Sequence, residues 1–125
     1  MNGIAPFEIF LGSDIIEVSR IRSSIKTIGQ RFLDKIYTNS EQEYCNSKSN
    51  PPIHYAGRFA AKEAIIKALK SSGFNKPISF NSINIINTES GAPIVRAEFV
   101  FSGSCKITIS HTGEYAIATA ILITT

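Results

Sequence analysis

The sequence predicts an α+β fold: an N-terminal strand, a run of helices with one long central member, and then an antiparallel sheet. Two observations carry this prediction. Apolar residues recur at helical intervals from Val18 to about Ser72, whereas from Pro77 onward they recur at the alternating interval of strands. Gly73 separates the two regimes. With 125 residues, 43% hydrophobic and 18% charged, and with no internal repeat, the chain is expected to form a single domain over residues 1–125.

The elements come in order along the chain. Phe7 to Leu11 is a short apolar run ending at Gly12, which reads as a buried strand followed by a turn that needs backbone freedom. Val18, Ile21, Ile25 and Ile28 then form one helical stripe and leave Arg20, Thr27 and Arg31 facing the other way. Gly29 ends or bends that helix, and Arg31 to Tyr37 continues as a shorter one. Thr38-Asn39-Ser40 offers N-cap chemistry to a further short helix over Glu41 to Ser47. After the break at Ser47 to Pro52, Pro52 suits the first turn of a long helix running to about Ser72. Ile78, Phe80, Ile83 and Ile85 alternate as a strand, Thr88 to Pro93 turns the chain, and Ile94 to Phe101 returns as the second arm of a hairpin. Cys105, Ile107 and Ile109 alternate with Lys106, Thr108 and Ser110, and Tyr115 to Ile123 is a last apolar run. The C-terminal half is therefore expected to form one antiparallel meander.

Composition narrows the function classes. No apolar run approaches membrane-spanning length, and Met1 to Phe7 lacks the basic flank and sustained apolar core of a secretory signal, so a cytoplasmic protein without a membrane partner is expected. The formal charge of +3 and pI near 9.0 favour anionic partners in general. Cys45 and Cys105 fall in unlike contexts outside any Cys-x-x-Cys spacing, which argues against a disulfide or a zinc site. The four tyrosines and eight phenylalanines lie mostly in apolar runs rather than on a basic, aromatic strand surface, so no nucleic-acid partner is expected.

Three places hold groups with chemistry. Asp14 stands three residues before Glu17, which fits an N-cap with a capping box and equally a carboxylate held for a hard cation such as magnesium. Glu63 and Lys67 are one helical turn apart, a spacing that stabilises a helix by about 0.2–0.5 kcal/mol and that also sets a carboxylate beside an ammonium for phosphate chemistry. On the same helix, Arg58 reads as a solvated charge or a phosphate ligand, and Lys62 as a solvated charge. In Ser110-His111-Thr112-Gly113, adjacent strand residues face opposite ways, which argues against a Ser–His nucleophile pair. His111 is then either a structural turn residue or a donor to phosphate or ribose, with the amides of Thr112 and Gly113 beside it.

Together, Gly12-Ser13-Asp14-Ile15 with Arg20, the run Arg58-Phe59-Ala60-Ala61-Lys62-Glu63-Ala64 with Lys67, and Ser110-His111-Thr112 with Ala116 closely resemble the holo-acyl-carrier-protein synthase family of 4′-phosphopantetheinyl transferases. The resemblance spans nearly the whole chain, and its middle motif is the most specific. It implies a 4′-phosphopantetheinyl transferase-like fold and a magnesium-dependent enzyme. The implied reaction moves the 4′-phosphopantetheine arm of coenzyme A to a serine of apo acyl carrier protein, releases adenosine 3′,5′-bisphosphate and supports fatty acid biosynthesis. By the same likeness Asp14 and Glu63 hold the metal, Glu63 accepts the serine proton directly or through a bound water, and Lys67 stabilises the leaving phosphate. Coenzyme A is expected against Arg58, Lys67, Gly91, Pro93, His111 and Thr112, and the acidic carrier against Arg20, Arg22 and Lys26, with Arg31 adding to the field. Compact members form homotrimers with shared active sites, in which Gly91, Pro93, His111 and Thr112 meet the coenzyme across the interface from Asp14 and Glu63. A catalytically dead member of the fold is the remaining alternative, and the joint presence of Asp14, Glu63, Lys67 and His111 argues against it. The lead before the first motif is longer than in compact relatives, and Met1 to Ala5 is expected to be disordered or to add an edge contact.

Overall fold

The computed structural model describes residues 7–124; the Met1 to Ala5 lead lies outside them. The chain runs β1 (Glu8–Glu17), α1 (Val18–Ile28), α2 (Gln30–Ile36), α3 (Asn39–Asn46), α4 (Pro51–Ser71), a short 3-10 turn (Phe80–Ser82), β2 (Ile83–Asn87), β3 (Pro93–Ala97), β4 (Ser104–His111) and β5 (Tyr115–Thr124). This is the expected α+β order, with α4 as the long central helix.

The sheet departs from a single meander. β1 pairs antiparallel with β5, and β5 with β4, giving a three-stranded sheet in the order β1-β5-β4, while β2 and β3 form a separate hairpin. The N-terminal strand therefore closes the sheet begun by the C-terminal pair. α4 lies across all three strands, and its alanines at 60, 61, 64 and 68 are fully buried against them.

Gly12 explains how closely strand and helix approach. It sits mid-strand rather than in a turn, and a Cβ there would stand 1.9 Å from the carbonyl oxygen of Ala64. Its role is the missing side chain, which lets β1 rest on the backbone of α4. That contact also fixes which residues of the strand point inward: Phe10, Gly12, Asp14 and Ile16 face the helix side, and Ile9, Leu11, Ser13 and Ile15 face outward.

Other differences have local causes. β1 continues to Glu17, so Asp14 is a strand residue and not an N-cap; Glu17 caps α1 without a side-chain bond. The capping box forms at α3 instead, where Thr38 accepts from the Glu41 amide and the Glu41 carboxylate accepts from the Thr38 amide. Ile28 is exposed and leaves the α1 stripe, which buries Val18 and Ile21. The β2 strand begins late because Ser82 turns back on Ser79, its amide and hydroxyl both donating to the Ser79 carbonyl at 3.1 and 2.6 Å. β3 ends early because Phe99 leaves the ladder to pack against Phe74 and Phe101, with ring centroids 5.2 and 6.1 Å away. Cys45 and Cys105 are both free thiols.

Candidate active site

The inward register of β1 brings Asp14 to the exposed end of the α4 contact, where Lys67 meets it. The Lys67 ammonium donates to the Ser13 carbonyl at 2.9 Å and to Asp14 Oδ1 at 3.2 Å. Its carboxylate partner is therefore Asp14, in place of the helical neighbour Glu63 that the spacing suggests. The Lys67 side chain stays 52% exposed and Asp14 19%, so the pair remains open to a ligand. Glu63 is half-buried. Burial raises its pKa above the ordinary carboxylate value, the Asp14 charge adds to the rise, and Lys67 opposes it.

Two carboxylates that repel each other across a partly dry corner suit a hard cation. Magnesium is commonly held by one or two carboxylates with its shell completed by waters and phosphate oxygens. Asp14 and Glu63 meet that donor requirement, and among the described residues no cluster of three metal-ligating side chains forms.

Arg58 points elsewhere, into a cavity of about 160 Å³ between α3, α4, the β2–β3 hairpin and the end of β4. Contrary to a solvated charge, it is only 4% exposed. Its guanidinium lies 4.0 Å over the Tyr44 ring and donates through Nη2 to Asn87 Oδ1, while Nε has no partner among the described residues. Asn87 in turn donates to the Gly91 carbonyl at 3.2 Å, tying the cavity wall to the hairpin turn. Gly91 has φ 88 and donates to Thr88 O at 2.8 Å, a turn conformation that disfavours a side chain. Gly91, Pro93 and His111 line the cavity with Arg58, and no lining residue is acidic. A buried cation without an acidic neighbour in the cavity lining gives this cavity the electrostatics to accept an anion.

His111 ends β4 rather than lying in the turn, and its ring stands 5.5 Å from that of His54 at 72°. Thr112 does not line the Arg58 cavity; it faces an apolar recess shared with Ile15, Ser110, His111, Tyr115 and Ile117, so His111 borders both. The Thr112 amide is not free for a ligand, since it donates to Tyr115 O at 2.8 Å, and the hydroxyl accepts from the amides of Glu114 and Tyr115. Within one chain the expected residues thus fall into two groups: Asp14, Glu63 and Lys67 at one corner, and Arg58, Gly91, Pro93 and His111 around the cavity. Arg20, Arg22 and Lys26 are exposed along α1, which starts where β1 leaves the Asp14 corner, and Arg31 is exposed on α2.

Lys62 is the largest correction. It is fully buried, and its ammonium donates to Glu41 Oε1 at 2.6 Å, Ile36 O at 2.7 Å and Phe80 O at 3.0 Å. Sequence reasoning also passed over His54, Tyr44 and Asn87. His54 had a signal, since it precedes Arg58 by one helical turn and so shares its face; Tyr44 and Asn87 lie on other elements.

Comparison with known proteins places the chain in a family. Residues 10–120 match the family model described as the 4′-phosphopantetheinyl transferase superfamily. A holo-[acyl-carrier-protein] synthase of Protochlamydia amoebophila is 44% identical over 89% of this chain and 94% of its own length, and one of Chlorobaculum tepidum is 45% identical over 89% and 95%. The crystal structure of a holo-(acyl-carrier-protein) synthase from Bacillus anthracis in complex with CoA (3′,5′-ADP) superposes with a TM-score of 0.78 at 30% identity, covering 93% of this chain and 96% of that one. From its fold, its two-part site and these likenesses, the chain belongs to the 4′-phosphopantetheinyl transferase superfamily.

Proposed function

We propose that this chain transfers the 4′-phosphopantetheine group of coenzyme A to a serine of apo acyl carrier protein, with magnesium at Asp14 and Glu63. One observation carries the reading: α4 presents Glu63 toward Asp14 at one corner and, five residues earlier, a buried guanidinium without a counter-charge at another. Coenzyme A has two phosphate centres to match, a diphosphate and a terminal phosphomonoester. The first belongs at the Asp14–Glu63–Lys67 corner and the second in the Arg58 cavity. The holo-(acyl-carrier-protein) synthases of B. anthracis and Helicobacter pylori are seen with CoA (3′,5′-ADP) and coenzyme A respectively, which supports coenzyme A as the substrate.

When bound, magnesium supplies positive charge against the diphosphate oxygens as the phosphorus is attacked. The chain's own groups do the rest. Glu63, held half-buried beside Asp14, accepts the proton of the carrier serine hydroxyl directly or through a bound water. The serine oxygen forms a bond to the phosphorus bearing the pantetheine, and the bond from that phosphorus to the bridging oxygen breaks. The leaving group is adenosine 3′,5′-bisphosphate, whose new terminal charge Lys67 meets with the ammonium it otherwise spends on Ser13 O and Asp14. Arg58 with His111 anchors the nucleotide end, and Arg20, Arg22 and Lys26 draw in the acidic carrier.

A homotrimer with shared sites is part of the proposal. The outer face of β1 and β5 is apolar and open: Ile9 faces Ile123, Leu11 faces Ile121 and Ile15 faces Ile117, at exposures of 37–61%. The Ser13–Thr119 pair interrupts this face, but its apolar pairs on either side favour covering by another copy, and the recess holding Thr112 joins it through Ile15 and Ile117. No described helix is long and apolar enough to cross a membrane, and a cytoplasmic role in fatty acid biosynthesis completes the proposal. The test is direct: incubated with coenzyme A, magnesium and apo carrier, the chain should raise the mass of the carrier, and chelation should stop it. No mass gain with metal present would overturn the activity. A fully active monomer in sedimentation would overturn the shared site.

A further inference from the structure

The Arg58 cavity holds two imidazoles, and only His111 belongs to the motif pattern. His54 enters from α4, half-buried, on the same helical face as Arg58. Every charged or titratable group facing it can be named. Tyr44 on α3 stacks edge-on at 5.9 Å, Lys48 beyond α3 lies 4.7 Å over the Tyr44 ring, Arg58 shares its helix, and His111 comes from β4 at 5.5 Å. The hairpin adds Asn87, Gly91 and Pro93, none of them charged. Burial, then His111, Lys48 and Arg58, push the His54 pKa below its ordinary value, so these surroundings favour the neutral ring. A phosphomonoester, dianionic above about pH 6, reverses that balance by placing two negative charges among the same groups.

We infer that His54 takes up a proton when the terminal phosphomonoester of coenzyme A seats between it, His111 and Arg58, so that affinity for the phosphorylated ribose rises as pH falls toward neutrality. The inference rests on the coenzyme reading of this cavity. It assigns His54 a binding role that the motif does not include, and it makes the site a proton-coupled phosphate clamp.

Calorimetry tests it, in magnesium at pH 7 and in buffers of unlike ionisation enthalpy. Coenzyme A should bind wild type with uptake of about half a proton, and 3′-dephospho-coenzyme A with almost none. His54→Gln, which keeps a polar donor without titrating, should lose the uptake. It should bind coenzyme A about five- to tenfold more weakly than wild type at pH 6 and within about twofold at pH 8.5. In wild type, the His54 ring protons followed by NMR should titrate at higher pH with coenzyme A bound than without. Unchanged uptake in His54→Gln, equal uptake for the two ligands, or an unmoved His54 titration would each overturn the inference while leaving coenzyme binding intact. Failure of coenzyme A to bind wild type at all would overturn the coenzyme reading, and the inference with it.

Discussion

Lys62 and Lys67 sit five residues apart on α4 and each faces a carboxylate, yet the two pairs are built for opposite ends. Lys62 and Glu41 are fully buried at 2.6 Å, and every strong group is used: three acceptors around the ammonium, and donors from Thr38 and Ile85 on Glu41 besides. Lys67 and Asp14 are longer at 3.2 Å, with the lysine half exposed, and leave Glu63 beside them without a bonded partner among the described residues. One pair ties α2, α3, β2 and the 3-10 turn to the helix. The other joins α4 to β1 alone and leaves Lys67 half exposed beside Glu63. Saturation marks the structural pair, and open charge marks the pair proposed as the site.

The sharpest way to break this contrast is Lys62→Met. It leaves the Glu41 carboxylate buried without its counter-charge and should cost about 3–5 kcal/mol of stability, read as a lowered urea midpoint. Glu41→Gln combined with Lys62→Met should recover part of that loss, because the stranded charge is gone. A loss below about 1 kcal/mol for Lys62→Met would show that the pair is not what holds these elements together.

Glu63→Gln should do the reverse. Transfer should fall by about 10²–10⁴-fold while the metal-free protein becomes more stable at pH 7. The sign comes from the raised pKa of Glu63: the folded chain binds its proton more tightly than the unfolded one, so ionising it costs stability. That cost is absent below the ordinary carboxylate range and complete above the folded value. The melting temperatures of variant and wild type should therefore converge as pH falls through the carboxylate range, and magnesium should stabilise wild type more than the variant. Full magnesium-dependent transfer by Glu63→Gln would remove Glu63 from the chemistry.

Lys67→Ala separates the pairs on one residue. Its stability should change by less than about 1 kcal/mol, as for an exposed pair, while kcat falls by about 10² with little change in carrier binding. A large stability loss with unchanged kcat would make Lys67 a second Lys62.

The same contrast explains what was legible in the sequence. The period change after Gly73, the long helix and the order of strands and helices depend on local pattern, and they are where the pattern puts them. Asp14 and Glu63 were visible as carboxylates. The partner of Lys67, however, is 53 residues away and that of Lys62 is 21 away, so helical spacing offered Glu63 to the first and solvent to the second. The pairing of β1 with β5 hid for the same reason, since alternation tells which face a residue takes but not which strand lies alongside. The sequence leaves Arg58 open between a solvated charge and a phosphate ligand because its stacking ring and its hydrogen-bond partner, Tyr44 and Asn87, come from α3 and β2.

The smallest expected effect lies on α1. Arg20, Arg22 and Lys26 are exposed and have no salt-bridge partner among the described residues, and they are the residues proposed to dock the carrier. Charges of this kind steer encounter more than they hold a complex, and salt screens them over about 8–10 Å. Raising ionic strength should increase KM for the carrier by about two- to fivefold while KM for coenzyme A, which is proposed to seat against the buried Arg58, moves much less. Replacing all three with Gln should flatten the salt dependence for the carrier and leave the coenzyme term alone. Equal salt dependence for both substrates would place carrier recognition elsewhere on the chain, because only an exposed field is open to counter-ions.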